Sequence, residues 1–99
     1  MYLETSFDAT VVKYQGKAAW YFASLPVDTS RWIKSMQSLR HGFGSVRVKV
    51  QIGQSEWQTS IFPDSKANTY VLPIKAAIRK QEGIDDGSHV NIHLQFEPN

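Results

Sequence analysis

The residues best equipped for chemistry in this chain are cations. Arg47 and Lys49 alternate with Val46, Val48, Val50 and Ile52, so they share the outward face of a strand. Lys75 and Arg79 stand at i and i+4, on one face of a helix, with Lys80 beside them. Were that helix seated next to that strand, the two pairs would form a basic surface interleaved with Tyr70 or Gln51. Such a surface can hold a phosphate or single-stranded nucleic acid. The candidate ligand-binding set is therefore Arg47, Lys49, Trp57, Tyr70, Lys75 and Arg79. The competing reading is an ordinary charged surface that keeps the protein soluble. In that reading Lys75 and Arg79 pair with Glu82, Asp85 or Asp86, and Trp57 fills the core beside Ile61.

Other constellations carry less. His89 and His93 fall on one face of one strand, about 13 Å apart at 3.3 Å per residue. One zinc ion needs each nitrogen at about 2 Å, so the two cannot share a metal from a straight strand. His41 lies in a glycine-rich turn. Gly42, Phe43 and Gly44 follow a helix and enter a strand, the reverse of a phosphate-binding loop. Ser60 lacks the glycine-flanked elbow of a hydrolase nucleophile. Asp28, Asp64, Asp85 and Asp86 occupy turns and caps, where acids satisfy backbone N–H groups. No catalytic residue, metal ligand or cofactor is assigned.

Composition narrows the classes. Ninety-nine residues suit one domain, 1–99. With no cysteine, disulfides, thiol catalysis and thiolate metal sites are excluded. No run is long enough to span a bilayer and the first residues lack a secretory layout, so the expected location is cytoplasmic, away from membranes. A net charge of +2 does not announce a polyanion partner.

The elements that must position these residues are mostly strands. Residues 7–14 and 18–25 are β-rich runs around a hairpin at Gln15 and Gly16. Both are apolar on both faces, Trp20 and Phe22 on one and Tyr21 and Leu25 on the other, as in strands buried on two sides. Pro26 closes the second run. Asp28, Thr29 or Ser30 can cap a helix with Trp32, Ile33, Met36 and Leu39 on its apolar stripe, ending at Arg40. Residues 46–52 alternate strictly, then Gly53 and Gln54 suit a tight turn into a strand over 56–62. A short strand at 69–72 leads to a helix from Pro73 at its first turn to Gly83 at its left-handed end. Ile74, Ala77 and Ile78 form its stripe, and Ile84 folds back onto Ile78. After Asp85, Asp86 and Gly87, alternation over 90–96 makes a half-buried closing strand.

Trp57-x-Thr59-Ser60-Ile61-Phe62-Pro63, Tyr70-x-Leu72-Pro73-Ile74-Lys75, Arg79, Gly83-Ile84 and Gly87 together resemble a bacterial domain-of-unknown-function family, the one numbered nineteen hundred and five. The resemblance takes in the earlier strands and Leu25-Pro26, and thus nearly the whole chain. It implies a double-split β-barrel related to AbrB-like domains. The chain departs from the family pattern at Ser88, where Asp is common, and at Asn68 and Thr69, where Gly is common. The fold expected is mainly β: a six-stranded double-split β-barrel capped by two short helices, order ββαβββαβ. The function expected is a non-catalytic binding or interaction module for a protein, an acidic ligand or another copy. The alternatives are a nucleic-acid or anionic-ligand binder using the basic face, and an enzyme with a pocket at the barrel mouth.

Overall fold

Period-two hydrophobicity decides which side of each strand faces inward, and turn chemistry decides where each strand stops. The computed structural model describes residues 1–16, 19–37 and 44–98. Its elements are β1 (Leu3–Gln15), β2 (Ala19–Ser24), α1 (Val27–Ser35), β3 (Val46–Ile52), β4 (Ser55–Asp64), β5 (Thr69–Pro73), α2 (Ala76–Glu82) and β6 (His89–Phe96). The six strands close into one barrel in the order β1-β2-β5-β4-β3-β6, every pairing antiparallel. The mainly β class and the order ββαβββαβ agree with the sequence reading.

Two strands are each split between two sheets. β1 pairs with β6 through Thr10↔His89 and with β2 from Val11↔Ala23 onward. β4 pairs with β3 through Ile61↔Val46 and with β5 from Phe62↔Val71 onward. One sheet is thus β1-β6-β3-β4 and the other β1-β2-β5-β4, and a single chain closes both. At the β1 handover, Val11 N–H donates to Ser88 O at 2.8 Å and Gly87 N–H to Val11 O at 2.8 Å. Lys13 N–H donates to Asp86 Oδ1 at 2.9 Å. The turn before β6 therefore holds the bend in β1. Ser88 is well suited there, because its hydroxyl accepts Asp85 N–H at 2.9 Å.

The barrel interior is one apolar cluster that includes Val11, Leu25, Ile33, Val50, Ile61, Leu72, Ile92, Leu94 and Phe96. α1 covers it from one side, with Trp32 edge-on to Phe96 at 5.4 Å between ring centroids. Its N-cap is Pro26, without a side-chain cap bond. Asp28, Thr29 and Ser30, the residues expected to cap it, all lie within the helix, and the buried Ser30 instead accepts Tyr70 N–H from β5 at 3.0 Å. Leu39, Arg40, His41, Gly42 and Phe43 lie outside the described residues.

α2 begins later than its sequence suggests. Pro73 is the last residue of β5, opposite Phe22, and Ile74 N–H continues the sheet by donating to Tyr21 O at 2.9 Å. Lys75 is the N-cap, and Gly83 ends the helix at φ 65°. Ile84 N–H then donates to Arg79 O at 2.8 Å, closing the C-terminus as such left-handed ends do. Ile74, Ile78 and Ile84 are buried, but Ala77 is exposed. At about 1.5 Å per residue so short a helix is held by docking alone.

Two contacts dock it. The Arg79 guanidinium lies 3.7 Å from the centroid of the Tyr21 ring, and Arg79 Nε–H donates to Ile74 O at 3.1 Å. At the other end, the buried Ser55 hydroxyl donates to Glu82 Oε2 at 2.6 Å, next to the two-residue turn at Gly53. Gly53 has φ 57° while Gln54 is not left-handed, the pattern of a II′ turn. Ser55→Ala should lower unfolding stability by about 1–2 kcal/mol, since it leaves a charged acceptor short of a donor. Urea denaturation checks this, and an unchanged midpoint would show that the α2 contact does not hold the helix.

Candidate functional site

The two sheets present opposite chemistries to the outside. On β1-β6-β3-β4 the outward residues are polar and knit strand to strand. Asn91 Nδ2–H donates to Asp8 Oδ1 at 3.0 Å, and Gln95 Nε2–H to Glu4 Oε1 at 3.0 Å. Thr10 Oγ1 lies 3.0 Å from His89 Nδ1. Lys49 Nζ pairs with Glu56 Oε1 at 3.3 Å.

Within this ladder Ser6, His93 and Glu4 form a chain. Ser6 Oγ is 2.8 Å from His93 Nδ1, and His93 Nε2 is 2.8 Å from Glu4 Oε1. An ionised Glu4 only accepts, so His93 donates to it through Nε2–H. These are the groups of an acyl-transfer triad, and they line two hollows of that wall, one of about 190 Å³ beside Glu4 and His93 and one of about 580 Å³ beside Ser6 and His93. Both hydrogen bonds run between β1 and β6, across Ser6↔His93 and beside Glu4↔Gln95. The arrangement works as surface stitching. Sequence reading found His93 but not Glu4 or Ser6, because the pairing Glu4↔Gln95 and Ser6↔His93 joins the two ends of the chain.

The outer face of β1-β2-β5-β4 is apolar. Val12 (57 % exposed), Tyr14 (59 %), Trp20 (52 %) and Phe62 (46 %) all point to water. The register places Tyr14 opposite Trp20, Val12 opposite Phe22, and Phe62 opposite Val71. Trp20 and Phe22 are parallel to within 4°, centroids 6.0 Å apart, forming a flat step. Beside them an open groove of about 570 Å³ is lined by Val12, Tyr14, Phe22, Val71, Pro63 and Asp64 on the sheet and by Lys66 on the β4–β5 turn. This face corrects one expectation. The first two strands are apolar on both sides, yet only the side of Tyr21, Ala23 and Leu25 is buried.

The cations sort into two groups. Arg47 and Lys49 project from β3. Arg79 is folded onto Tyr21 of β2, and Lys75 is exposed at the start of α2. β2 and β3 stand three places apart in a six-strand ring, on opposite sides of the barrel. Trp57 and Tyr70 are buried in the core, and burial holds the Tyr70 phenol above its ordinary pKa. Lys75 and Arg79 make no ion pair with Glu82, Asp85 or Asp86 among the described residues.

The arrangement that decides the family is the whole span of six strands and two helices. A family model described as Domain of unknown function (DUF1905) matches residues 7–94, from β1 to β6. The chain belongs to that family. A search of curated proteins gives no match. In this DUF1905 chain the family-model span contains the apolar face entire, from Val12 to Val71, while Glu4 and Ser6 precede it.

Glu4 gives the polar face a signature in pH. Its carboxyl is held below its ordinary value of 4.5, first by the Gln95 hydrogen bond and then by that of His93. A carboxyl depressed on folding lends stability that is complete above its unfolded pKa and is lost as pH falls through the folded one. Glu4→Gln should therefore be less stable than the parent at neutral pH, with the gap closing as pH drops below 4.5. Urea midpoints taken across that range check it, and a gap independent of pH would contradict the pairing.

Proposed function

We propose that this domain is a non-catalytic binding module whose working surface is the apolar outer face of β1-β2-β5-β4. The observation that carries the reading is the contrast between the two outer walls of one barrel. An antiparallel sheet with one face in water ordinarily shows polar residues there, and β1-β6-β3-β4 does so. On the other wall, four large apolar side chains stand about half exposed, two of them, Val12 and Tyr14, lining a groove. A contiguous apolar surface of this kind marks an interaction site. Aromatic enrichment with few charges is the composition of an interface centre.

The same composition argues against the nucleic-acid reading. Single strands stack on aromatics only where a cationic groove tracks the phosphates. The groove offers Lys66 together with Asp64, and Arg47 and Lys49 project from the opposite, polar sheet. An enzymatic reading finds little support in the groove, whose lining has one acid, Asp64 at the end of β4, and one base, Lys66 on the turn after it. The bacterial setting and the kinship with AbrB-like barrels accompany this proposal and rest on the family resemblance, while the cytoplasmic setting rests on the composition of the sequence.

Selection from a displayed peptide library, with dilute protein as bait, tests the reading. Peptides recovered on the parent should lose at least tenfold in affinity for Phe62→Glu and keep it for Arg47→Glu. Loss on Arg47→Glu instead would move function to the basic face. Failure to select any peptide would count against a binding face.

A further inference from the structure

Resting on that reading, we propose that the occupant of the apolar face is a second copy of this chain. The two copies meet about a two-fold axis, with Trp20 of each copy seated in the groove of the other. Each face carries both halves of such a contact. Trp20 projects at the β1–β2 hairpin and is not part of the groove, which Val12, Tyr14, Phe22 and Val71 floor a few residues away. A two-fold axis brings patch against identical patch, so a surface bearing both a knob and a hollow is complementary to itself.

Area fits a dimer. Tyr14, Trp20 and Phe62 at these exposures each leave roughly 100 Å² open, since an aromatic side chain carries about 150–250 Å². With Val12, Phe22, Val71 and Pro73 the apolar surface comes to roughly 450 Å², counting about 50 Å² or less for each of these smaller contributions. A standard interface takes about 800 Å² from each partner, about 60 % of it apolar, or roughly 480 Å². The apolar core of an ordinary interface is thus present, and the polar rim makes up the difference.

Charge selects the same partner. The face carries one acid, Asp64 at the end of β4, whose Oδ1 accepts the N–H groups of Lys66 and Ala67, and one base, Lys66, on the turn that follows. With one charge of each sign the face is close to neutral, so a second copy meets no net repulsion, whereas a uniformly acidic or basic partner meets a like charge. Flat sheet faces also stack readily, about 10 Å apart with strands crossing near −30°.

Sedimentation equilibrium of the full chain from about 1 µM to 1 mM tests the proposal, a range that spans weak and moderate dimers. The parent mass should rise from 11.2 kDa toward twice that value. Trp20→Lys, and separately Val12→Lys, should weaken association at least tenfold with the circular dichroism spectrum and unfolding midpoint kept. If one of these fails to fold, the other still decides. Arg47→Glu should associate like the parent. A parent that stays at 11.2 kDa throughout, or dimerises equally well with both lysine variants, overturns the proposal. A monomeric parent that still selects peptides through Phe62 loses only the second copy, while one that selects none loses the binding face as well.

Discussion

The whole structure depends on two strands changing partners partway along their length. β1 passes its hydrogen bonds from β6 to β2 between Thr10 and Val11, and β4 passes its own from β3 to β5 between Ile61 and Phe62. Without those handovers the chain would make two open sheets with four exposed edges, each a template for aggregation. With them, one ring of strands closes and a single core forms. The bonds from Val11 to Gly87 and Ser88 fix the first bend. Gly87 can serve because its φ of 89° is left-handed, where a side chain is strained.

Closure also sets what the outside can do. Inward positions of both sheets meet in one apolar interior, so any difference between the sheets must appear on their outer walls. On one wall the polar pairs satisfy each other across β1 and β6, and the Glu4–His93–Ser6 chain belongs to that stitching. On the other wall, aromatic and aliphatic groups stand in water. Water penalises that surface by about 25 cal/mol for each Å² of it. The binding reading follows from that cost: covering the face recovers free energy that folding alone leaves unused.

Much of the frame was legible because it is local. Strict alternation in Val46, Val48, Val50 and Ile52 gave β3, and left-handed glycines at 53 and 83 gave a hairpin and a helix end. Asn68, a departure from the family pattern, adopts φ 57°, a conformation asparagine tolerates better than most residues. Longer-range features were hidden. Residues 3–6 extend β1 because they pair with β6 at the far end of the chain. Pro73 looks like a helix start but lies in β5, since Tyr21 O captures the next N–H. Trp20 and Phe22 show an apolar second face, but a sequence cannot say whether such a face meets its own core or another molecule. The cations show the same limit: spacing reports a shared face on one element, not which side of a barrel that element occupies.

Val12, Trp20 and Phe62 face out of the barrel while their neighbours Val11, Tyr21 and Ile61 face in. Unfolding free energies in dilute solution test that most directly. Single lysine substitutions at the three outward positions should each change stability by no more than about 0.5 kcal/mol, as at ordinary surface sites. Ile61→Ala should cost about 2–5 kcal/mol, as burial in a packed core requires. Losses of several kcal/mol at the outward positions would mean that this face is core within one molecule, and would contradict the account.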